Sequence, residues 1–215
     1  MRPFVAPFAI AACAAFVSMP ALAGEVFAGL GTTGVELGYA AKLAPSAGFH
    51  VDAEFLSLKR KFDDNGATYD TKLKFSNLGL YGDLFLTDSF RFTGGLVMGS
   101  RKVTGTGVTT GGTVTINGVS YPVAAGESVT VDAKFPSVSP YLGLGFGHST
   151  ASDGLGFYFD LGAVFGRPKA KLTPSAGLLA QAGQANVDAE QAKLQTKMDK
   201  LRVYPVIKLG LSFGF

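Results

Sequence analysis

The last fifteen residues of the chain, 201–215, alternate between two kinds of side chain. Every odd position is apolar, and the even positions are mostly polar or small. Successive side chains of a β-strand point to opposite faces, so a period of two gives one apolar face and one polar face. The segment is therefore predicted to be a strand that separates two different solvents.

The first 23 residues have the pattern of a secretory signal peptide. A basic start at Met1-Arg2 precedes an apolar run over 4–17, and Pro20-Ala21-Leu22-Ala23 supplies the small residues of a cleavage site. The apolar run is shorter than the roughly 20 residues that a membrane-spanning helix needs. The sequence predicts cleavage after Ala23, export, and one domain over residues 24–215.

The composition after residue 23 is typical of an exported barrel. The single cysteine, Cys13, lies in the signal peptide, so no disulfide is expected. Removal of Arg2 lowers the formal charge from +3 to +2, which is too small to indicate nucleic-acid binding. No apolar run of about 18 residues follows, so helical membrane spans are excluded. Together with 29 glycines, these features indicate a transmembrane β-barrel.

Alternating segments also recur at regular spacing before the predicted strand over 201–215. They cover residues 35–43, 49–59, 69–86, 90–103, 131–148 and 155–172. Residues 25–31 are predicted to add a short first strand, because bacterial barrels have an even number of strands. A single long first strand is the alternative, because the odd-position phase of Phe27 continues through Val35.

Short connections, predicted at 45–46, 87–89 and 149–153, alternate along the chain with long ones at 60–68, 104–130 and 167–200. This is the pattern of barrels with short periplasmic turns and long extracellular loops. The predicted fold is all-β, an antiparallel up-and-down transmembrane barrel of eight strands with long extracellular loops.

The apolar phase and the loops add local predictions. The phase changes at Pro136 and again near Ser76-Asn77, and each change predicts a β-bulge. Asn117-Gly118 within an alternating stretch predicts a hairpin in the second long loop. In the third, Asp188 begins a capping-box-like motif followed by a short amphipathic helix. That helix either packs on the barrel mouth or covers the lumen as a lid.

The face opposite the apolar one is predicted to line the lumen, and it is densely charged. The predicted lumen residues are Glu36, Asp52, Glu54, Lys72, Asp83, Arg91, Arg101, Asp132, Lys134, Asp160, Arg202 and Lys208. A wider count of inward acids and bases leans slightly basic. Because the side chains of an eight-stranded barrel about fill its interior, these charges either pair into a plug or line a polar conduit.

Residues for catalysis or metal binding are scarce. His50 and His148 are the two histidines, and both fall beside short turns at the predicted periplasmic end. Chemistry at the outer leaflet needs a histidine with a Ser or Asp partner at the other end. His50 and Asp52 share a strand face, a spacing that is common by chance. No cluster has metal-ligand spacing, so the sequence predicts no enzyme, no metal and no cofactor.

Five short motifs occur in an order that resembles the CarO-type ornithine-uptake porins. They are Gly31-Thr32-Thr33-Gly34, Thr115-Ile116-Asn117-Gly118 with Tyr121, Pro140-Tyr141-Leu142-Gly143-Leu144-Gly145-Phe146, Pro168-Lys169 followed by Leu172-Thr173, and Pro205-Val206 with Lys208 and Gly210. The likeness spans most of the chain after residue 23. The resemblance implies a small eight-stranded outer-membrane barrel, linked in that family with uptake of ornithine and other basic amino acids and with carbapenem susceptibility.

Two functions are open on this evidence. The first is a narrow porin for passive uptake of small polar solutes such as amino acids, and the second is a closed structural or surface-interaction barrel. The predicted location is the outer membrane of a Gram-negative bacterium, with outer-membrane lipid as a partner. The aromatic end at Phe213 and Phe215 resembles the signature that the barrel-assembly machinery reads in this class, so that machinery is a second expected partner. No nucleic-acid partner is expected.

Overall fold

The computed structural model describes residues 24–64, 67–148 and 154–215. The predicted signal peptide and the short connection over 149–153 lie outside these ranges. The described elements, in chain order, are β1 (Gly24–Gly31), β2 (Gly34–Ala44), β3 (Ala47–Asp64), β4 (Ala67–Phe85), β5 (Phe90–Thr109), β6 (Gly112–Ile116), β7 (Val119–Val123), β8 (Ser128–Lys134), β9 (Val138–Phe146), β10 (Gly154–Phe165), β11 (Lys169–Pro174), α1 (Ala176–Ala182), α2 (Gln184–Met198) and β12 (Val203–Gly214). Neither of these two helices is long and apolar enough to cross a membrane.

Eight strands close into an antiparallel ring. Around the ring they run β1, β2, β3, β4, β5, β9, β10 and β12, and β12 pairs again with β1. The prediction of an eight-stranded barrel is therefore confirmed. The alternative of one long first strand is wrong, because the chain turns at Thr32-Thr33 and β1 pairs with β2. This two-residue turn reverses the phase, so that Phe27 points inward whereas Val35 points outward.

The two ends of the ring differ in their connections. Gly24 and Phe215 exchange backbone hydrogen bonds at one end, and β2–β3, β4–β5 and β9–β10 are joined there by short connections. We call this the turn end. The opposite end, which we call the loop end, holds the long connections β5–β9 and β10–β12 and the two-residue turn between β1 and β2. The long connection predicted over 60–68 is wrong, because β3 runs to Asp64 and β4 begins at Ala67.

A belt of large apolar side chains covers the outer face of the ring. Leu155 is 76% exposed, and Leu30, Leu142 and Phe157 are each more than half exposed. Soluble monomers rarely expose a contiguous apolar patch larger than a few hundred Å². An apolar belt around a closed sheet is instead the surface of a barrel that spans a membrane.

The two predicted bulges are absent from the strands as described. β4 pairs with β3 and β5 in unbroken register past Ser76 and Asn77. β8 and β9 pair with β5 in one common register on either side of Pro136. Phe75, only 3% exposed, shares the inward face with Asn77. The phase changes because these strands extend past the belt, where the apolar residues turn away from water and toward the interior.

The parts of β3, β4 and β5 that extend past the belt are called the strand extensions. They carry a small folded unit at the loop end, the loop module, which is made of β6, β7, β8, β11, α1 and α2. The predicted hairpin is confirmed as β6 and β7. Asn117 (φ 54°) and Gly118 (φ 81°) form its turn, and two positive φ values are what a type I′ turn requires.

The predicted helix in the third loop is confirmed as α2, but its predicted start is wrong. α2 begins at Gln184 after Gly183, whose φ of 74° also ends α1. Asp188 therefore lies inside the helix, where it accepts a hydrogen bond from Gln184. The helices pack against the hairpin and β11 around a core of Ile116, Val123, Leu172, Leu178, Ala182 and Val187. This contact agrees with the packing interpretation of the helix.

Candidate functional site

The barrel interior is filled by aromatic side chains that lie against glycines. Tyr158 is fully buried, and a Cβ atom at Gly29 or Gly210 would overlap its ring. Tyr141 lies in the same way against Gly143 and Gly162. Glycines on the inner face of the strands therefore provide the volume that these rings occupy.

Lys208 is the centre of the first ionic cluster. Its Nζ lies 2.8 Å from Glu36 Oε2, 2.5 Å from Asp52 Oδ2 and 2.6 Å from Glu54 Oε1. All four side chains are buried. The ammonium group donates a charge-assisted hydrogen bond to Asp52 on β3. It also forms ion pairs with Glu36 on β2 and Glu54 on β3.

Residues of β4, of β10 and of the β1–β2 turn supply further donors to the three carboxylates. Asp52 Oδ1 accepts the Gly79 backbone N–H at 3.1 Å. Glu54 accepts Asn77 Nδ2 and Thr33 Oγ1, each at 2.9 Å. The hydroxyl of Tyr158 donates to Glu36. These bonds satisfy most of the carboxylate oxygens, and so hold the cluster rigidly in place.

The sequence showed no cluster with metal-ligand spacing, but the structure brings three carboxylates together. Oxygen atoms of Glu36, Asp52 and Glu54 lie within 4.8 Å of one another, a grouping that sequence spacing did not indicate because the residues come from two paired strands. The donor set would suit a cation that prefers oxygen ligands. The Lys208 ammonium lies at hydrogen-bond distance from all three and already provides a positive charge there.

Arg91 organises a second ionic cluster toward the turn end. Its Nε donates to Asp83 Oδ1 at 3.1 Å, Nη2 donates to Asp160, and Nη1 donates to the Gly147 carbonyl at 3.0 Å. Thr93 Oγ1 donates to the same Asp83 oxygen at 2.6 Å. The guanidinium is completely buried. The carboxylates of Asp83 and Asp160 balance its charge within the barrel.

Both histidines belong to this second cluster. His50 Nδ1 lies 2.6 Å from Asp83 Oδ2, and His148 Nδ1 hydrogen-bonds to Glu25. The two imidazole rings stack with centroids 5.4 Å apart. His50 thus pairs with Asp83 on the adjacent strand, not with Asp52 on its own strand.

Arg101 lies alone at the loop end of the interior. Its Nη2 donates to the Pro136 carbonyl and to Ser139 Oγ, both at 2.7 Å. Among the described residues, its Nε and Nη1 have no hydrogen-bond partner. Near this end the rings of Phe75 on β4 and Tyr204 on β12 lie 5.9 Å apart, although these two strands are on opposite sides of the ring.

The structure brings eight predicted lumen residues into the interior. They are Glu36, Asp52, Glu54, Asp83, Arg91, Arg101, Asp160 and Lys208. Sequence reasoning missed Glu25 and His148 as members of the ionic clusters. Glu25 shares a strand face with Phe27, but the odd-position phase of Phe27 continues through the outward Val35, so the sequence did not show that this face points inward.

Four predicted lumen residues lie elsewhere. Lys72 on β4 and Lys134 on β8 are exposed on the outward face beyond the belt, and Arg202 is exposed before β12 begins. The two lysines were misplaced because the apolar phase reverses beyond the belt, so the polar face there is the outer one. Asp132 lies on β8 beside β5, where it accepts hydrogen bonds from Lys102 Nζ at 2.8 Å and Thr104 Oγ1 at 2.6 Å. These hydrogen bonds, that from Lys102 first, hold the pKa of Asp132 below its ordinary value.

These placements reverse the expected sign of the interior charge. The buried charged side chains among the described residues are six carboxylates and three Lys or Arg residues. The sequence count leaned basic because it included lysines of the strand extensions. With neutral histidines, the interior therefore has a formal excess of three negative charges.

No family model and no curated protein matches the chain. Two solved structures from Acinetobacter baumannii are similar to it. CarO has 21% sequence identity and a TM-score of 0.61, over 90% of this chain and 97% of that one. CarO2 also has 21% identity, with a TM-score of 0.65, over 90% of this chain and 99% of that one. The chain therefore shares the fold of the CarO outer-membrane barrels.

Proposed function

We propose that the chain is an outer-membrane barrel of a Gram-negative bacterium whose lumen is closed by its own side chains. Its shared fold with CarO and its apolar belt support this location. The signal peptide expected over 1–23 would direct export, and the loop end would face outward. In this proposal the loop module makes the contacts with the surroundings. The engagement of His50 and His148 with buried carboxylates supports a protein without enzymatic activity.

The burial of charge throughout the interior carries this proposal. Arg91 is 0%, Glu54 1% and Lys208 4% exposed. Side chains that line the aqueous channel of a large porin stay accessible to water. A buried charge costs several kcal/mol unless an opposite charge and hydrogen bonds compensate it. Because each of these three groups has such a partner, the interior is suited to being a plug.

A gated conduit for small cationic solutes is the second candidate, and the excess of interior carboxylates favours it. A negative lumen raises the local concentration of cations. Glu36, Asp52 and Glu54 already hold a primary ammonium, that of Lys208. A basic amino acid presents the same group, so it could replace Lys208 without leaving these carboxylates unpaired. Ornithine and lysine are the solutes that this candidate predicts.

Planar-bilayer recording separates the two candidates. In potassium chloride we expect no steady conductance from the wild type and reproducible steps from Tyr81→Ala/Tyr141→Ala. These rings lie 5.0 Å apart within the interior. The matched control is Phe62→Ala/Tyr69→Ala, which removes a stacked pair in the strand extensions and should stay silent. Cation-selective wild-type steps that L-ornithine blocks and L-glutamate does not would contradict the closed barrel and support the conduit.

We also propose that the assembly machinery recognises the end of β12. β12 pairs with both β1 and β10. Phe213 on its outer face and Phe215 directly after it are both exposed. Phe215→Ser should lower the amount of folded, heat-modifiable barrel in outer-membrane fractions. Phe157→Ser, an equally lipid-facing change on β10, is the control. Equal losses in the two variants would contradict a specific signal at the chain end.

A further inference from the structure

Six lysines form a row across five neighbouring strands at the loop end. Lys59 on β3 lies directly opposite Lys72 on β4, and Lys74 on β4 lies opposite Lys102 on β5. The row continues from Lys102 to Lys134 on β8 and from Lys134 to Lys169 on β11. We call Lys59, Lys72, Lys74, Lys102, Lys134 and Lys169 the lysine row.

The lysine row lies on the same outward face as the apolar belt. Lys74 lies four residues from the belt residue Leu78, and Lys102 lies four residues from Met98. Residues separated by an even number along a strand point to the same face. At about 3.4 Å per residue and a strand tilt of about 40°, the Cα atoms of Lys74 and Lys102 lie roughly 10 Å beyond the belt. Lysine side chains at this height reach the headgroup layer of a bilayer.

Serines fill the outward positions between the belt and the row. Ser57, Ser76 and Ser100 each lie two residues from a lysine of the row. Ser76 and Ser100 are directly opposite each other on β4 and β5. Three neighbouring strands thus repeat the same order of apolar residue, hydroxyl and ammonium from the membrane outward. Hydroxyl and ammonium groups are both hydrogen-bond donors to anionic oxygen atoms.

The lysine row carries more charge than the protein itself neutralises. Like charges directly opposite each other destabilise a pair of strands. Asp132 contacts Lys102 at 2.8 Å, and Asp70 lies 3.9 Å from Lys72. Within the described ranges, no carboxylate lies within 4 Å of the ammonium groups of Lys59, Lys74, Lys134 or Lys169. An external anion would relieve this repulsion.

The row is confined to one side of the barrel. The outward residues closest to the loop end are apolar on β1, β2 and β12: Leu30, Val35 and Val203. A general attraction to an anionic membrane would not require such a clustered arrangement. The clustering on β3, β4, β5, β8 and β11 indicates a defined site next to the lipid-facing surface.

We propose that the lysine row binds phosphorylated headgroups of membrane lipids in the leaflet at the loop end. The belt below the row contacts the acyl chains, so a bound lipid would present its phosphate at the height of the ammonium groups. A phosphate accepts several charge-assisted hydrogen bonds and can bridge ammonium groups on adjacent strands. The inference goes beyond the closed-barrel proposal and does not depend on whether the lumen conducts.

Native mass spectrometry of the full chain in detergent micelles tests the site. The probes are bis-phosphorylated lipid A and the same lipid A after removal of both phosphates. Each lysine at an anionic lipid surface contributes about fivefold in binding. The variant Lys72→Gln/Lys74→Gln/Lys134→Gln should therefore bind the phosphorylated lipid on the order of 100-fold more weakly than the wild type.

The matched control removes two lysines of α2 and Lys200, which follows α2, at the same end of the barrel. Lys193→Gln/Lys197→Gln/Lys200→Gln changes the net charge equally and should retain binding. Lys72→Arg/Lys74→Arg/Lys134→Arg keeps the charge and should also bind. Heat-modifiable mobility on gels reports whether each variant is folded, and the comparison of the two lipids on the wild type needs no variant.

Three outcomes would overturn the proposal. The first is equal wild-type affinity for the phosphorylated and dephosphorylated lipids. The second is equal loss of binding in the two glutamine variants, which would show a general charge effect. The third is displacement of the lipid by millimolar inorganic phosphate, which would indicate a site for the free anion instead of a lipid.

Discussion

Replacement of Lys208 by methionine measures how much the central ion cluster contributes to stability. Methionine keeps the approximate length of the side chain and removes its charge. Three carboxylate contacts, at 2.8, 2.5 and 2.6 Å, would be lost together, and three buried acids would be left without their cation. Removal of one partner from a buried ion pair costs about 3–5 kcal/mol. We expect the upper part of this range, because one cation serves three acids.

Urea unfolding in phospholipid vesicles gives the required free energy of unfolding. The chain has no tryptophan, so far-UV circular dichroism and heat-modifiable gel mobility are suitable probes. Lys197→Met is the matched control, because Lys197 is exposed on α2. Exposed substitutions usually change stability by no more than about 0.5 kcal/mol.

A combined variant tests the cause of the expected loss. Lys208→Met combined with Asp52→Asn and Glu54→Gln removes two of the three carboxylate charges that Lys208→Met alone would leave without a cation. If uncompensated carboxylates cause the destabilisation, this variant should recover half or more of the lost free energy. The reasoning would be refuted if Lys208→Met cost less than about 1 kcal/mol, or if the combined variant were no more stable than Lys208→Met alone.

Two further predictions concern interior packing and acid sensitivity. Gly162→Ala should destabilise the barrel by about 1–3 kcal/mol in the same urea assay, because its Cβ would overlap Tyr141. Gly82→Ala is the control, with the nearest heavy atom 3.9 Å from the added Cβ, and an equal loss there would contradict the packing argument. The pKa of Asp132 is lowered by its hydrogen bond from Lys102, so its contribution to stability is present above the unfolded value of about 3.9 and is lost as the pH falls through the folded value. The protection factors of β8 amides, which correct for the intrinsic pH dependence of hydrogen exchange, should therefore fall below about pH 4 in the wild type and change less in Asp132→Asn; an identical pH response would contradict this linkage.

The alternating segments predicted the barrel well because lipid contact is a local requirement. Each residue of a spanning strand faces either lipid or the interior, and this choice is visible in a period of two. The same reasoning predicted the hairpin at Asn117-Gly118, because few residues adopt two consecutive positive φ values. Boundaries were less predictable: α2 begins after Gly183, and nothing in the capping-box pattern at Asp188 excluded an earlier start.

The errors share one cause, which is that solvent changes along a single strand. Phe75 and Leu78 belong to opposite faces of β4, although both are apolar. In lipid the apolar side points outward, and beyond the membrane it points inward. A sequence pattern records polarity but not the surrounding medium, so the change resembled a bulge. The same ambiguity moved Lys72 and Lys134 from the outer face into the predicted lumen.

The sequence by itself determined that the chain forms alternating strands with one lipid-compatible face, because that pattern needs only local geometry. Only the tertiary structure decided which charges meet. The contact of Lys208 with Glu36, Asp52 and Glu54 and the alignment of the lysine row depend on the register between strands that are distant in sequence. Register is set by closure of the whole ring, and a shift of one residue would move every side chain to the opposite face.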